Sequence, residues 1–247
     1  ASGSQACANV AVLAALREDD APFRAMPHDG IVGLGFESLS TGALSSFYER
    51  LLDSSHGLLP HFGLSLGPHG GELVFGGHDP AHFAGPIQWF SVERPEDGFW
   101  QVRIEAVRVG NVTVDACDRG CRGIIDTGSD SLGVPKNRLS KLLRNLGSIR
   151  KTASSCEGPV LRLDLGAFSL ELLAEDYTST ACQPELGMLD TDEPQFEGVY
   201  ALGTTVLHRH YTAFDWAEGK VGFSGLAPHR AAVQQPAAMP AKAAIVV

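Results

Sequence analysis

The sequence predicts an all-β fold with few short helices, on three observations. Its 28 glycines and 14 prolines are spread between short apolar runs, so turns come often and strands are brief. Apolar and polar residues alternate from Trp100 to Val114, the period of a sheet with one buried face. Only two segments, Thr41 to Leu52 and Pro135 to Leu146, break the β pattern in favour of a helix.

In chain order, the runs Gly71 to Gly77, Ile87 to Val92 and Trp100 to Ile104 read as strands. Trp100, Val102 and Ile104, followed after Gly110-Asn111 by Val112 and Val114, predict a half-buried β-hairpin. In the second helical segment Leu139, Leu142, Leu143 and Leu146 fall at i, i+3, i+4 and i+7, and Gly147 is placed to end it. Such a leucine stripe is core packing. Residues 230 to 247, rich in Ala and Pro and without periodicity, read as a flexible tail or linker carrying no chemistry.

With 44% apolar residues in 247, the chain can bury a sizeable core as one large β domain or two smaller ones. Asp and Glu outnumber Lys and Arg by 29 to 19, a formal charge of −10 that argues against nucleic acid as a partner. Beyond that exclusion the acidity is a solubility feature. No run reaches the roughly 18 to 20 apolar residues of a membrane-spanning helix, and no signal peptide opens the chain. It starts at Ala1 and closes on Ala243-Ala244-Ile245-Val246-Val247, similar to the start of an apolar segment, so both ends are expected to be truncated. Soluble and membrane-anchored products both stay open.

The five cysteines are at 7, 117, 121, 156 and 182, and the last four divide into two sequence-near pairs. Cys117 and Cys121 have the spacing of zinc ligands, but Cys156 and Cys182 supply no matching C-x-x-C and no histidine cluster lies nearby. Two disulfides and an odd Cys7 fit better and imply an oxidising compartment. Asn111-Val112-Thr113 is a sequon in an expected turn, which makes Asn111 a glycosylation candidate. His208 and His210, two apart on an expected strand, would share one face; a surface pair is the plain reading and a metal site the sharper one.

The segment from Arg122 to Ser129 puts Asp126 directly after the apolar pair Ile124-Ile125 and follows it with Thr127, Gly128 and Ser129. A buried strand fixes the backbone, Gly128 lets the chain turn back, and Ser129 with backbone amides can hydrogen-bond the carboxylate. Taken alone, Asp-Thr-Gly also makes an ordinary turn.

With its neighbours, the triplet resembles the pepsin-like aspartic proteases, and the likeness is colinear from about Val10 to about Leu226. Asp29 to Gly35 is similar to the apolar-apolar-Gly segment that closes the N-terminal lobe's active-site core, and Gly71 to Asp79 to the strand and turn opening the C-terminal lobe. Phe99 to Val102 resembles the aromatic strand that follows. Ala201-Leu202-Gly203 resembles the second apolar-apolar-Gly segment, and Tyr211 to Asp215 the closing strand. Cys117 to Cys121 is similar to the family's small disulfide loop, and Cys156 with Cys182 to its larger one.

The resemblance implies a pepsin-like fold with a remnant of the N-terminal lobe and interlobe region at 1–70, a C-terminal catalytic lobe at 71–228 and a tail at 229–247. It implies an endopeptidase of the secretory or lysosomal/vacuolar pathway that uses no cofactor or metal. In that family two aspartates from two lobes share a proton and activate a water against the peptide carbonyl. Like charges so close cannot both ionise. By resemblance Asp126 is the C-lobe aspartate, Thr127, Gly128, Ser129, Leu202 and Gly203 support it, and Phe99 and Ile124 line substrate pockets.

The pattern breaks upstream. Residues 1 to 28 hold no Asp-Thr-Gly and no tyrosine, and Asp19 and Asp20 sit in a charged run that reads as a solvated loop. The expected partners are therefore a peptide or protein substrate and the missing N-terminal lobe segment. Asp130 stands where the family has a small hydroxyl residue, and Thr204 where the C-lobe often has Asp. Asp130 would either perturb Asp126 or face solvent. Two other readings stand beside the protease: a catalytically dead homologue that binds peptides or a partner, and two copies pairing so that each gives its Asp126. The leftover N-lobe strands oppose the last.

Overall fold

The fold is a computed structural model, which describes residues 7–17, 30–42, 45–67, 70–190, 193–227 and, for the backbone alone, 244–246. Asp19, Asp20, Asp29, residues 229–243 of the expected tail and Val247 lie outside the described residues. Among the described residues the structure is mostly β, with three short α-helices, and the expected all-β class holds.

The elements run β1 (Ile31–Gly33), α1 (Phe47–Ser54), β2 (His61–Gly67), β3 (Gly70–Phe75), β4 (Phe83–Ser91), β5 (Gln101–Ile104), β6 (Ala106–Val109), β7 (Val112–Asp115) and β8 (Cys121–Ile125). They continue as β9 (Leu132–Pro135), α2 (Lys136–Leu146), β10 (Arg150–Lys151), β11 (Cys156–Glu157), β12 (Leu161–Asp164), β13 (Ser169–Leu172) and β14 (Gly187–Leu189). Last come β15 (Val199–Leu202), α3 (Thr204–Leu207), β16 (His210–Asp215), β17 (Lys220–Leu226) and β18 (Ala244–Val246).

One five-stranded sheet has the order β3-β2-β16-β17-β4 and is antiparallel throughout. A second, β14-β9-β15-β8-β5, mixes parallel and antiparallel pairs, and the strand ends of β8 and β15 in it carry the candidate site. A four-stranded sheet, β13-β12-β6-β7, completes the larger layers. Aromatic rings cluster in the core: Phe62 stacks on its cross-strand partner Phe214 with centroids 4.3 Å apart, and the buried Trp100 lies 4.1 Å from Phe36. The Trp100 indole N–H donates to the Leu34 carbonyl at 2.8 Å, so this large apolar body is buried without leaving its one polar atom unpaired.

Several expectations are corrected. The alternation from Trp100 to Val114 is not one hairpin: β5 pairs with β8, the chain changes sheet at Glu105, and only β6 and β7 form the hairpin around Gly110-Asn111. Sequence period reports which face is apolar and is blind to a change of partner strand. The first helix starts at Phe47 rather than Thr41 and runs to Ser54. In α2 the buried leucines are Leu142 and Leu146, with Leu139 partly buried against the core, whereas Leu143 is exposed at the stripe's margin. Gly147 ends that helix with φ 62°, a conformation open to glycine and strained for other residues. Within the expected tail, Ala244–Val246 is a strand, paired in parallel with β1; its Ile and Val are β-branched strand formers that the surrounding Ala and Pro mask in composition.

His208 and His210 do not share a strand face. His208 follows α3 and is exposed, while His210 opens β16, is buried, and faces the Val206 carbonyl at 3.3 Å.

Candidate active site

β8 delivers Asp126 to the edge of the mixed sheet. Its alternation buries Cys121, Gly123 and Ile125, and the neighbouring strand β15 runs parallel with Ile124 opposite Ala201 and Ile125 opposite Leu202. The Ile125 amide donates to the Trp100 carbonyl at 2.9 Å and the Asp126 amide to the Leu202 carbonyl at 3.1 Å. The backbone on both sides of the carboxylate is thereby fixed to two different strands.

The Asp126 side chain is half-buried and held at both oxygens. The Gly128 amide donates to Oδ1 at 2.9 Å, and the Ser129 hydroxyl donates to Oδ2 at 2.6 Å. The Ser129 amide also closes a turn onto the Asp126 carbonyl at 3.2 Å. Two donors on two oxygens fix the carboxylate plane before any ligand arrives. Thr127, between them, is half-buried.

The return strand supports this turn from behind. Leu202 is fully buried, and the Thr204 amide donates to the Ser129 carbonyl at 2.8 Å. A Cβ on Gly203 would lie 2.3 Å from the Ser131 carbonyl oxygen and 2.4 Å from that of Ser129, so only glycine lets β15 approach the Asp126 turn. Asp130 is exposed, which settles its orientation: the carboxylate faces solvent, and its backbone carbonyl accepts hydrogen bonds from the hydroxyls of Thr204 at 3.1 Å and Thr205 at 2.8 Å. The two departures from the family pattern, Asp130 and Thr204, are thus in direct contact.

Asp126 lines a cavity of about 590 Å³ whose walls are mostly apolar. Phe99 and Ile124 are among its lining residues, together with Leu189, Phe196, Val199 and Ala201. The Phe99 and Phe196 rings meet edge to face at 5.8 Å. Gly33, Gly35, Phe36, Leu39, Ser40 and Thr41 also line it, and of these the sequence points to the first two, through their apolar-apolar-Gly segment. Nothing in local pattern singles out the others or Phe196, because a pocket wall is defined by the fold. Among the described lining residues Asp126 is the one carboxylate.

The cysteines pair as Cys117–Cys121 and Cys156–Cys182, and Cys7 is free and exposed. Asp115, Cys117 and Cys121 cluster closely enough to suggest a metal site, but both sulfurs are spent in the disulfide. Asp115 is occupied too: Oδ2 pairs with Arg138 Nε at 2.9 Å and accepts the Tyr200 hydroxyl at 2.9 Å, while Oδ1 accepts the Cys117 amide at 3.0 Å. Both cysteine pairs are thus the disulfides expected from the sequence, which had set the zinc alternative aside. Burial, and then the Asp115 charge, push the Tyr200 phenol well above its ordinary range, so it stays a donor to Asp115. This network, which sequence reasoning missed, ties the small disulfide loop to α2 and to β15 behind Asp126. Asn111 is exposed in the β6–β7 turn, as a modifiable sequon requires.

A sequence profile of eukaryotic aspartyl proteases matches residues 3–226. Among curated proteins the chain is similar to Renin-2 of Mus musculus, 30% identical over an alignment of 224 residues, with 82% of this chain and 54% of the relative covered. Cathepsin E of Mus musculus is 30% identical over 222 residues, 81% of this chain and 54% of the relative. Pepsin B of Canis lupus familiaris is 27% identical over 223 residues, 84% of this chain and 57% of the relative. The chain spans about half the length of the curated relatives it matches.

Proposed function

The chain belongs to the eukaryotic aspartyl protease family, and from that premise we propose that Asp126 is one carboxylate of an endopeptidase dyad whose other aspartate these 247 residues do not supply. The observation that carries this reading is the anchoring of Asp126 by Gly128 and Ser129 at the cavity wall formed by Phe99, Ile124 and Ala201. A carboxylate held at both oxygens keeps its orientation while a proton moves between it, a water and a second carboxylate. One aspartate cannot both take the water's proton and donate to the peptide carbonyl, so the chain alone is inactive and the assembled site is the enzyme.

Substrate enters the apolar cavity, with Phe99, Ile124 and Phe196 contacting its side chains. Two disulfides and an exposed sequon support the secretory or lysosomal/vacuolar pathway. No described helix is long and apolar enough to cross a membrane. The test is peptide cleavage by a protein carrying this chain together with an intact first half-site, assayed between about pH 3 and 6 with and without pepstatin. Pepstatin-sensitive cleavage that Asp126→Asn abolishes is the expected result; undiminished cleavage by Asp126→Asn overturns the assignment.

A second reading is a peptide-binding homologue without catalysis. It is favoured by the single carboxylate among the described cavity-lining residues. Saturable binding of a peptide that survives incubation with the assembled protein would select it.

A further inference from the structure

The antiparallel sheet carries a histidine pair that the Asp126 site does not use. His61 opens β2, and His78 lies in the segment 76–82 that joins β3 to β4. The two imidazole rings meet edge to face with centroids 5.6 Å apart. His78 also lies 5.6 Å from the Trp89 ring of β4, and its Nδ1 is 3.3 Å from the Tyr211 hydroxyl of β16. One side chain thereby ties the middle of the segment to three strands of the sheet. Beneath that side chain and Phe83, Tyr211 is 1% exposed. The backbone is held at both ends of the segment: the Gly76 amide donates to the His61 carbonyl at 2.8 Å, and the His82 carbonyl accepts the Ala227 amide at 3.0 Å.

Protons unbalance this contact. Among the described residues Asp215 is the one carboxylate within ion-pair distance of either ring, with Oδ2 3.8 Å from His61 Nδ1. His61 Nδ1 and His78 Nε2 are both buried without a hydrogen-bond partner, so a charge on either ring is left short of an acceptor. Of the other ionisable groups around the pair, Glu72 of β3 and Asp79 of the segment are turned to His82, 3.3 and 3.9 Å from its Nε2, and Lys220 of β17 is turned to Glu218 at 3.4 Å. β4 brings no charged residue. The Tyr211 phenol, pushed up to about 12 by burial and then by Asp79 and Glu72, stays neutral and can donate to His78 or accept from it. Its hydrogen bond therefore does not sense the proton; the unpartnered Nε2 and the second imidazole do. Burial first, and then the His61 charge, push the His78 pKa below the ordinary histidine value, with Asp215 opposing. With the closed-state value depressed, the closed arrangement is fully favoured above about pH 6.5 and weakens as pH falls through the lowered value.

We propose that the segment 76–82 is an acid-released cover on the antiparallel sheet: neutral His78 holds it down over Tyr211, and protonation of the His61–His78 pair lifts it. Gly76, with φ 82°, gives the pivot. At the other end His82 gains its charge opposite Glu72 and Asp79, so that end is held as the middle lets go. Two imidazoles sharing one carboxylate come apart on acidification, and one imidazole beside two carboxylates does not. Release of the cover depends neither on Asp126 nor on a second aspartate.

The test is hydroxyl-radical footprinting of the whole chain, read by mass spectrometry at the tyrosines. Tyr48, Tyr177, Tyr200 and Tyr211 are each at most 1% exposed, so the first three serve as internal controls for the fourth. Between about pH 7 and 4.5 labelling of Tyr211 is expected to rise at least about threefold, while the other three keep their low level. His78→Gln should make Tyr211 labelling equal at the two pH values, whatever its level. His61→Gln, which leaves the His78 contact with Tyr211 in place and removes the repelling charge, should leave a smaller rise than the parent chain shows. Constant labelling of Tyr211 in the parent chain, a rise shared by Tyr48, Tyr177 and Tyr200, or a rise undiminished in either variant overturns the proposal. A shared rise assigns the acid response to the whole fold and not to this cover.

Discussion

The Ser129 hydroxyl donates to Oδ2 of Asp126 over 2.6 Å, while the Gly128 amide holds Oδ1 over 2.9 Å. The first bond can be removed by substitution and the second cannot. Ser129→Ala is expected to lower kcat of an assembled two-aspartate enzyme about tenfold with KM little changed, the loss of one hydrogen bond to a charged group. Ser129→Thr, which keeps the hydroxyl, should recover most of it. Asp126→Asn should cost at least about a thousandfold. Steady-state cleavage of a single peptide by the three variants gives the comparison.

Gly203 tolerates no side chain, because a Cβ meets two backbone carbonyls at 2.3 and 2.4 Å. Gly203→Ala should destabilise the chain by about 3 kcal/mol, since backbone cannot rotate away as a side chain can. Urea unfolding monitored by tryptophan fluorescence measures it. A midpoint unchanged from the parent would show that the turn at Asp126 is looser than described.

His210 makes the fold sensitive to acid. Burial pushes its pKa below the ordinary histidine value; the Val206 carbonyl opposes this, Arg209 adds to it, and Asp176 and Glu171 oppose it. With the folded value depressed, the unfolded chain binds the proton more readily. Stability linked to this group is therefore fully present above about pH 6.5 and is lost as pH falls through the lowered value. His210→Gln should flatten the fall in melting temperature between about pH 7 and 4.5, and an unchanged slope would assign acid sensitivity to other groups.

The two disulfides should contribute unequally. Cys156–Cys182 closes a separation of 26 residues and Cys117–Cys121 one of 4. Loop entropy alone gives about 3.5 kcal/mol for the former and about 2 kcal/mol for the latter. Paired Cys→Ala variants compared by denaturant midpoint should keep that order. A reversed order would show that the Asp115, Arg138 and Tyr200 network depends on the smaller loop for its geometry.

What could be read from the sequence was what is local. The Asp126 turn, the α2 leucines at Leu142 and Leu146, and the Gly147 stop each lie within one or two turns of chain, where period and residue type carry the information. The pairing of Ala201-Leu202 with Ile124-Ile125 was accessible only through family resemblance, because strand order is set by partners far away in sequence. The same limit explains Trp100 to Val114: Trp100, Val102, Ile104 and Val114 are buried as expected, but Val112 is exposed and the chain changes sheet at Glu105. His208 and His210 were misplaced because a single turn of helix at Thr204 to Leu207 intervenes before the strand. Ala244–Val246 escaped notice because composition was averaged over a long Ala- and Pro-rich stretch.

The contact between Thr204 and the Asp130 carbonyl joins positions 74 residues apart. Between them the chain forms β9, α2 and all of β10 to β15 before it returns to Asp126. The two strands that frame the Asp126 turn, β8 and β15, are therefore brought together across a long loop, although the hydrogen bonds to the carboxylate itself are local. A copy in which β15 has not docked lacks the support that the Leu202 carbonyl and the Thr204 amide give the Asp126 turn, so local sequence alone does not complete the geometry around this carboxylate.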